Sequence, residues 1–286
     1  MEGQIYKILS DKCYVKVNEE VVICSLRGKF RTFKLLPFVG DKVVIDKEKK
    51  VIEKILPRKN EIRRPPVSNI TQGLIVASLI NPNLDTNLID KILVELEFNS
   101  IKPVICFTKK DLLSDQKWKE IEEVIKYYQT IYPVYFNDDI NNLKKIFKDN
   151  VTVFIGQTGS GKSTLLNRLN PDLKLQTGEI SMALGRGKHT TRHVEIIDML
   201  DGSLLDAPGF SSLEFPNMLK KEIRDAFIEF EKYPCPYRDC MHIKEDKCSV
   251  KDAVKEGKIA LFRYNNYLNL QETAFDDKDS YKRSKI

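Results

Sequence analysis

Val151-Thr-Val-Phe-Ile-Gly-Gln-Thr-Gly-Ser-Gly-Lys-Ser-Thr164 is the stretch on which the reading of this chain turns. A β-branched apolar run stops at Gly156, and Gly156-x4-Gly161-Lys162-Ser163 follows with the spacing of a phosphate-binding loop. Glycines let successive backbone N–H groups turn inward around phosphate oxygens. Gly156, Gln157, Thr158, Gly159, Ser160, Gly161, Lys162, Ser163 and Thr164 are therefore the expected phosphate contacts. Within them Lys162 brings a charge to the β/γ phosphates, and Ser163 a hydroxyl suited to Mg²⁺. Residues 164–169 carry helical spacing, so the loop feeds a helix N-terminus, itself an anion site.

Upstream, the chain alternates apolar runs and helical patterns, the signature of an α/β domain. Strands are expected at 73–80, 103–107, 132–136 and 151–155, and helices at 87–98, 118–128 and 139–147. Thr108-Lys109-Lys110-Asp111 follows the second of these strands, where a base-recognition loop would sit. A carboxylate there accepts two hydrogen bonds from guanine N1–H and N2–H2, a donor pair that adenine lacks. Alone the four residues also read as a turn and helix cap; beside a phosphate loop they point to GTP. Downstream, a pair of strands at 194–199 and 203–205 leads into Asp206-Ala-Pro-Gly209. Asp206 would reach Mg²⁺ through water, and the Gly209 N–H would meet the γ-phosphate. Between the phosphate loop and Asp206 lies Gly185-Arg-Gly-Lys-His-Thr190-Thr191, a polar loop in which Thr190 or Thr191 can sense Mg²⁺ and γ-phosphate. Lys162, Thr190, Thr191, Asp206 and Gly209 are the expected catalytic set.

The order of these motifs is unusual, because the base loop precedes the phosphate loop. The pieces still close into one site if the sheet is circularly permuted, since domain termini commonly lie near each other.

Residues 1–64 differ in character. Short β-rich runs at 4–9, 12–17, 21–26, 41–46 and 51–56 describe a small five-stranded barrel, best matched by an OB fold. This quarter carries 16 Lys/Arg against 9 Asp/Glu, leaving 31 against 32 in the remainder. A basic excess confined to one module reads as a footprint for a polyanion, nucleic acid first, or else as a solvated lysine-rich surface. Arg27, Lys29, Arg31 and Lys34, with Phe30 and Phe33 between them, form the expected contact loop, although the two rings read equally well as core. Residues 57–66, rich in Pro and charge and without periodicity, read as a linker.

Residues 215–286 read as helical, ending in a charged, disordered tail. Cys235-x4-Cys240-x-His242-x5-Cys248 offers four ligands within fourteen residues, the donor set of a tetrahedral structural Zn²⁺ site. The bland alternative is a set of reduced cysteines in a helical hairpin. Cys13, Cys24 and Cys106 fall in strand-like runs and read as small buried hydrophobes. Six cysteines are too few for a disulfide scaffold. The most apolar stretch, residues 74–80, is too short to span a membrane, and the first residues lack a signal-peptide pattern. A reducing, cytoplasmic setting is expected.

Together these residues resemble the RsgA (YjeQ) family of circularly permuted GTPases that act on the small ribosomal subunit. The resemblance extends to Cys235…Cys240-x-His242-x-x-Glu245-x-x-Cys248 and the run Val250-Lys-x-Ala253-Val254-x-x-Gly257-x-Ile259…Arg263-Tyr264…Tyr267. It implies an OB fold at 1–64, a permuted GTPase domain at 65–214 and a zinc-binding helical domain at 215–286. It also implies a role in late maturation of the small subunit, with rRNA and GTP/GDP as partners, Mg²⁺ with GTP, one Zn²⁺ per chain and no membrane. A monomer is expected. Two departures stand out. Thr108 replaces the usual GTPase Asn, and Asn137-Asp-Asp follows Phe136 where a Ser-Ala loop usually backs the guanine. Two other readings remain open on the residues: an RNA-binding module whose slow hydrolysis is incidental, and an ATP-using kinase, against which Thr108–Asp111 argues.

Overall fold

The computed structural model describes residues 1–18, 20–26, 36–63, 66–173, 194–206 and 218–276. The first five strands are β1 (Glu2–Leu9), β2 (Lys12–Val17), β3 (Glu20–Leu26), β4 (Lys42–Asp46) and β5 (Val51–Ile55). β1–β2 and β2–β3 pair antiparallel, β3 pairs parallel with β5, and β4 pairs antiparallel with both β5 and β1. The circuit closes, which is the five-stranded barrel expected from the sequence. Alternation does the work: Cys13, Val15 and Val17 point inward with Val22, Cys24, Val43, Ile45 and Ile52. Cys13 and Cys24 are buried there as small hydrophobes.

The described residues of the segment read as a linker take part in regular pairing. β6 (Glu61–Arg63) pairs antiparallel with β7 (Pro66–Ser68). Asp41, fully buried, explains why. Its carboxylate accepts from Arg58 Nε (2.7 Å) and Nη2 (2.9 Å), Ser68 Oγ (2.7 Å) and the Phe38 N–H (2.8 Å). Arg58 also lies over the Phe38 ring at 3.9 Å. Long-range partners of this kind leave no periodic trace in a ten-residue window, so composition alone reads as a loop.

The α/β domain follows: β8 (Gln72–Ser78), α1 (Thr86–Phe98), β9 (Lys102–Thr108), α2 (Asp115–Gln129), β10 (Val134–Phe136), α3 (Ile140–Lys145), β11 (Val151–Ile155), α4 (Lys162–Leu169), β12 (Glu195–Met199) and β13 (Gly202–Asp206). The sheet order is β10-β9-β8-β11-β13-β12. All neighbours are parallel except the β12–β13 hairpin. Every residue of the central strand β8 is buried, as a strand covered on both faces must be. Ile75 and Ala77 pack toward α1 and α2, whereas Leu74 and Val76 pack toward α3 and α4. β1 also pairs with β12 at Lys7↔Glu195, joining the barrel to this sheet.

The remaining described chain contains α5 (Lys220–Asp225), α6 (Ser249–Lys255) and α7 (Leu261–Thr273) around a third core with Phe227, Phe230 and Tyr267. Val94 of α1 belongs to that core. The joint is polar as well. Arg263 of α7, fully buried, pairs with Asp90 of α1 (2.6 Å) and Glu229 (2.7 Å). Asp90 also accepts from Tyr128 (2.6 Å) and Asn266 (2.7 Å).

Candidate functional site

The phosphate-loop sequence sits between β11 and α4, strand before and helix after. Gly156 has φ 152°, and a Cβ there would lie 2.2 Å from the Val76 carbonyl oxygen. Gly161 caps α4 at φ 93°, in the left-handed region. The Lys162 ammonium curls over the loop, donating to the Gly156 carbonyl and to the Gln157 carbonyl at 2.8 Å. Burial pushes its pKa down to about 8. Ser163 is buried in the first turn of α4. The loop thus offers backbone donors, a poised cation and a helix N-terminus to an anion.

β9 ends beside this loop and delivers the base motif to it. Thr108 Oγ1, buried, donates to the Ser160 carbonyl at 2.7 Å. Lys109 takes φ 63°, and its ammonium donates to the Gly159 carbonyl at 2.8 Å and to the Asn81 carbonyl. Residues about fifty positions apart in sequence are thereby held on the same loop, as the permuted reading requires. Asp111 is exposed within a single 3-10 turn over Lys110–Leu112. Lys110 turns away from the phosphate loop, its ammonium 4.0 Å from the Trp118 ring and 4.8 Å from the Phe136 ring. Asn81, in the connection from β8 to α1, was not singled out by the sequence, because it contributes only a carbonyl.

Other expected residues fall partly or wholly outside the description. Asp206 closes β13, and Ser203↔Val151 and Leu205↔Val153 pairing carries that strand alongside β11. Thr190, Thr191 and Gly209 lie outside the described residues, as do the contact loop from Arg27 to Lys34 and the tail from residue 277.

The Cys235, Cys240, His242 and Cys248 ligand atoms all lie within 4.8 Å of one another. Cys235 Sγ is 3.7 Å from Cys248 Sγ, and His242 Nδ1 is 3.3 Å from Cys248 Sγ and 3.5 Å from Cys235 Sγ. Four ligands around a tetrahedral Zn²⁺ with Zn–S near 2.3 Å would be spaced by about 3.8 Å, so the set fits. Burial, then the Arg224 charge, holds the His242 imidazole below its ordinary pKa, favouring the neutral ligand form. A second set of residues fixes the loop carrying Cys240 and His242. Glu245 accepts from the Met241 N–H (2.7 Å) and Ile243 N–H (2.9 Å). Tyr264 donates to the His242 carbonyl (2.6 Å), Tyr267 to the Met241 carbonyl (2.5 Å) and Arg224 to the Cys240 carbonyl (3.3 Å). Both tyrosines lie on α7, so the helix seated on Asp90 also holds the ligand loop.

Comparison with known proteins gives concordant findings. The family model described as RsgA GTPase matches residues 55–216, and that of the RsgA N-terminal domain matches residues 2–52. The Enterococcus faecalis protein named small ribosomal subunit biogenesis GTPase RsgA is 43% identical over 292 residues, covering 99% of this chain and 98% of the relative. The Bacillus subtilis protein of the same name is 43% identical over 297 residues, covering 98% and 99%. Among solved structures, YjeQ from Thermotoga maritima superposes with a TM-score of 0.82 at 33% identity, covering 95% of this chain and 97% of that one. YloQ, described as a circularly permuted GTPase, gives 0.78 at 37% identity, with coverage of 95% and 93%.

Proposed function

The chain belongs to the RsgA GTPase family, and from that premise we propose that it hydrolyses GTP while assisting late maturation of the small ribosomal subunit. The subunit stimulates hydrolysis, and hydrolysis permits release. The observation that carries this reading is the pair of bonds from Thr108 to Ser160 and from Lys109 to Gly159. They hold the start of the Thr108–Asp111 motif against the phosphate loop in permuted order, which supports reading Asp111 as the guanine-selecting carboxylate.

In this reading Asp111 selects the base, the aliphatic stem of Lys109 covers it, and residues 156–164 bind the phosphates. Lys162 trades its two carbonyl partners for β/γ oxygens. Mg²⁺ entering with GTP would be held by Ser163, with Asp206 behind a water, and would neutralise phosphate charge. Thr190, Thr191 and Gly209 complete the γ-phosphate end. Where many GTPases place Gln after the DxxG motif, this chain has Phe210, which can neither donate nor accept a hydrogen bond. Positioning of the attacking water must then come from elsewhere, with His189 and His193 beside Thr190 and Thr191 as candidates and a partner holding that loop in place. One Zn²⁺ on Cys235, Cys240, His242 and Cys248 supplies structure to the C-terminal module. The partners are rRNA of the small subunit and GTP/GDP; the chain acts as a cytoplasmic monomer, divided into modules at 1–64, 65–214 and 215–286. No helix among the described residues is long and apolar enough to cross a membrane.

Nucleotide competition tests the site. GDP and GTP should displace a bound fluorescent guanine nucleotide and ATP should not; equal displacement by ATP would remove the reading.

A further inference from the structure

We propose that Trp118 and Phe136 clamp Lys110 and so position Asp111 for guanine, which makes Lys110 a positioning residue and not a nucleotide contact. The inference rests on the base-loop reading of Thr108–Asp111. It starts from a mechanical problem. Asp111 sits in one turn of 3-10 helix, closed by Leu112 N–H to the Lys109 carbonyl (3.2 Å) and Leu113 N–H to the Lys110 carbonyl (3.1 Å). Such a turn is weak by itself. Yet a carboxylate that must meet two donors on one base edge has little tolerance in position or angle.

Two neighbouring lysines anchor the turn from opposite sides. Lys109 reaches back to the Gly159 and Asn81 carbonyls. Lys110 reaches forward, with its ammonium 4.0 Å from the Trp118 ring centre and 4.8 Å from that of Phe136. The rings are 6.1 Å apart and tilted by 56°, so one cation addresses both π faces. They come from different elements. Trp118 stands in the first turn of α2, its N–H bonded to the Ser114 carbonyl at 2.9 Å. Phe136 ends β10, and the next N–H, of Asn137, bonds the Phe107 carbonyl on β9 at 3.0 Å. Lys110 therefore ties the loop to the helix after it and to the neighbouring strand. The clamp lies where this chain departs from the usual pattern, with Thr at 108 and no Ser-Ala after Phe136.

The test compares dissociation constants of full-length protein for GDP, IDP and ADP. IDP lacks the 2-amino group and can give Asp111 only one hydrogen bond. Wild type should prefer GDP to IDP and bind ADP weakly. Lys110→Ala and Trp118→Ala should weaken GDP by about tenfold, the scale of one hydrogen bond to a charged group, and draw the GDP:IDP ratio toward one. Trp118→Phe keeps a π face and should retain most of the preference. Should Trp118→Ala fold poorly, the exposed Lys110→Ala decides alone, with its melting temperature measured alongside. If Lys110→Ala leaves GDP and IDP unchanged, or weakens both by the same factor, the clamp does not position Asp111. Wild-type protein binding ADP as tightly as GDP would instead defeat the base-loop reading, and the clamp with it.

Discussion

Asp111 is expected to carry the choice of base on its own, because the other residues at its loop serve geometry. Thr108 and Lys109 spend their polar atoms on the phosphate loop. Asp111→Asn keeps one acceptor for the base N1–H and turns the other into an NH2 donor, which matches the O2 of xanthine, so affinity should move from GTP to xanthosine triphosphate, as read by competition. Retained guanine preference would remove Asp111 from that role. Lys162 makes a second test, through pH. Its pKa lies near 8 because burial disfavours the ammonium. A phosphate oxyanion beside it favours the charged form, so its pKa rises in the complex and binding takes up a proton above pH 8. GDP affinity should be flat below that pH and fall above it, by at most about tenfold per unit. Lys162→Arg, charged throughout, should not show the fall. A flat wild-type profile, or the same fall in the arginine variant, would contradict the assignment.

Elements were legible in the sequence to the degree that their signal was local. The five barrel strands, the phosphate-loop strand and helix, and the ligand spacing at 235–248 all announce themselves through residues close together in the chain. What escaped depends on partners far along the chain. β6 and β7 lay inside and just beyond a stretch read as linker, and the buried Asp41 that bonds Arg58 and Ser68 lies seventeen or more residues away. The Tyr264 and Tyr267 grip on the metal loop was likewise hidden, since a backbone carbonyl has no sequence signature. Asp41→Ala would leave the Arg58 guanidinium half-buried without its main partner and should cost about 3–5 kcal/mol, measured by chemical denaturation. A loss below about 1 kcal/mol would mean the joint is not stabilising. In the C-terminal module, metal analysis should find about one Zn per chain, and a chelator should lower the melting temperature and unfold residues 235–248. A metal-free protein with the same C-terminal fold would contradict the zinc reading.

Across the whole molecule, the three cores meet along the permuted domain. β1 pairs with β12 at Lys7↔Glu195, and their side chains form an ion pair at 2.5 Å. On the far side, Arg263 and Asn266 of α7 grip Asp90 of α1. The GTPase domain is therefore joined at one edge to a basic barrel and on its α1 face to the metal-ligand module. Permutation has a mechanical consequence: in sequence, the next described element after Asp206 belongs to that module. A partner gripping both flanks would be placed to hold catalytic groups in position during turnover. The central claim is that hydrolysis is slow alone and fast on the small ribosomal subunit. Single-turnover GTP hydrolysis at low salt, with and without saturating small subunits, tests it most directly. The account predicts acceleration by orders of magnitude, lost in Lys162→Ala; equal rates with and without subunits would contradict it.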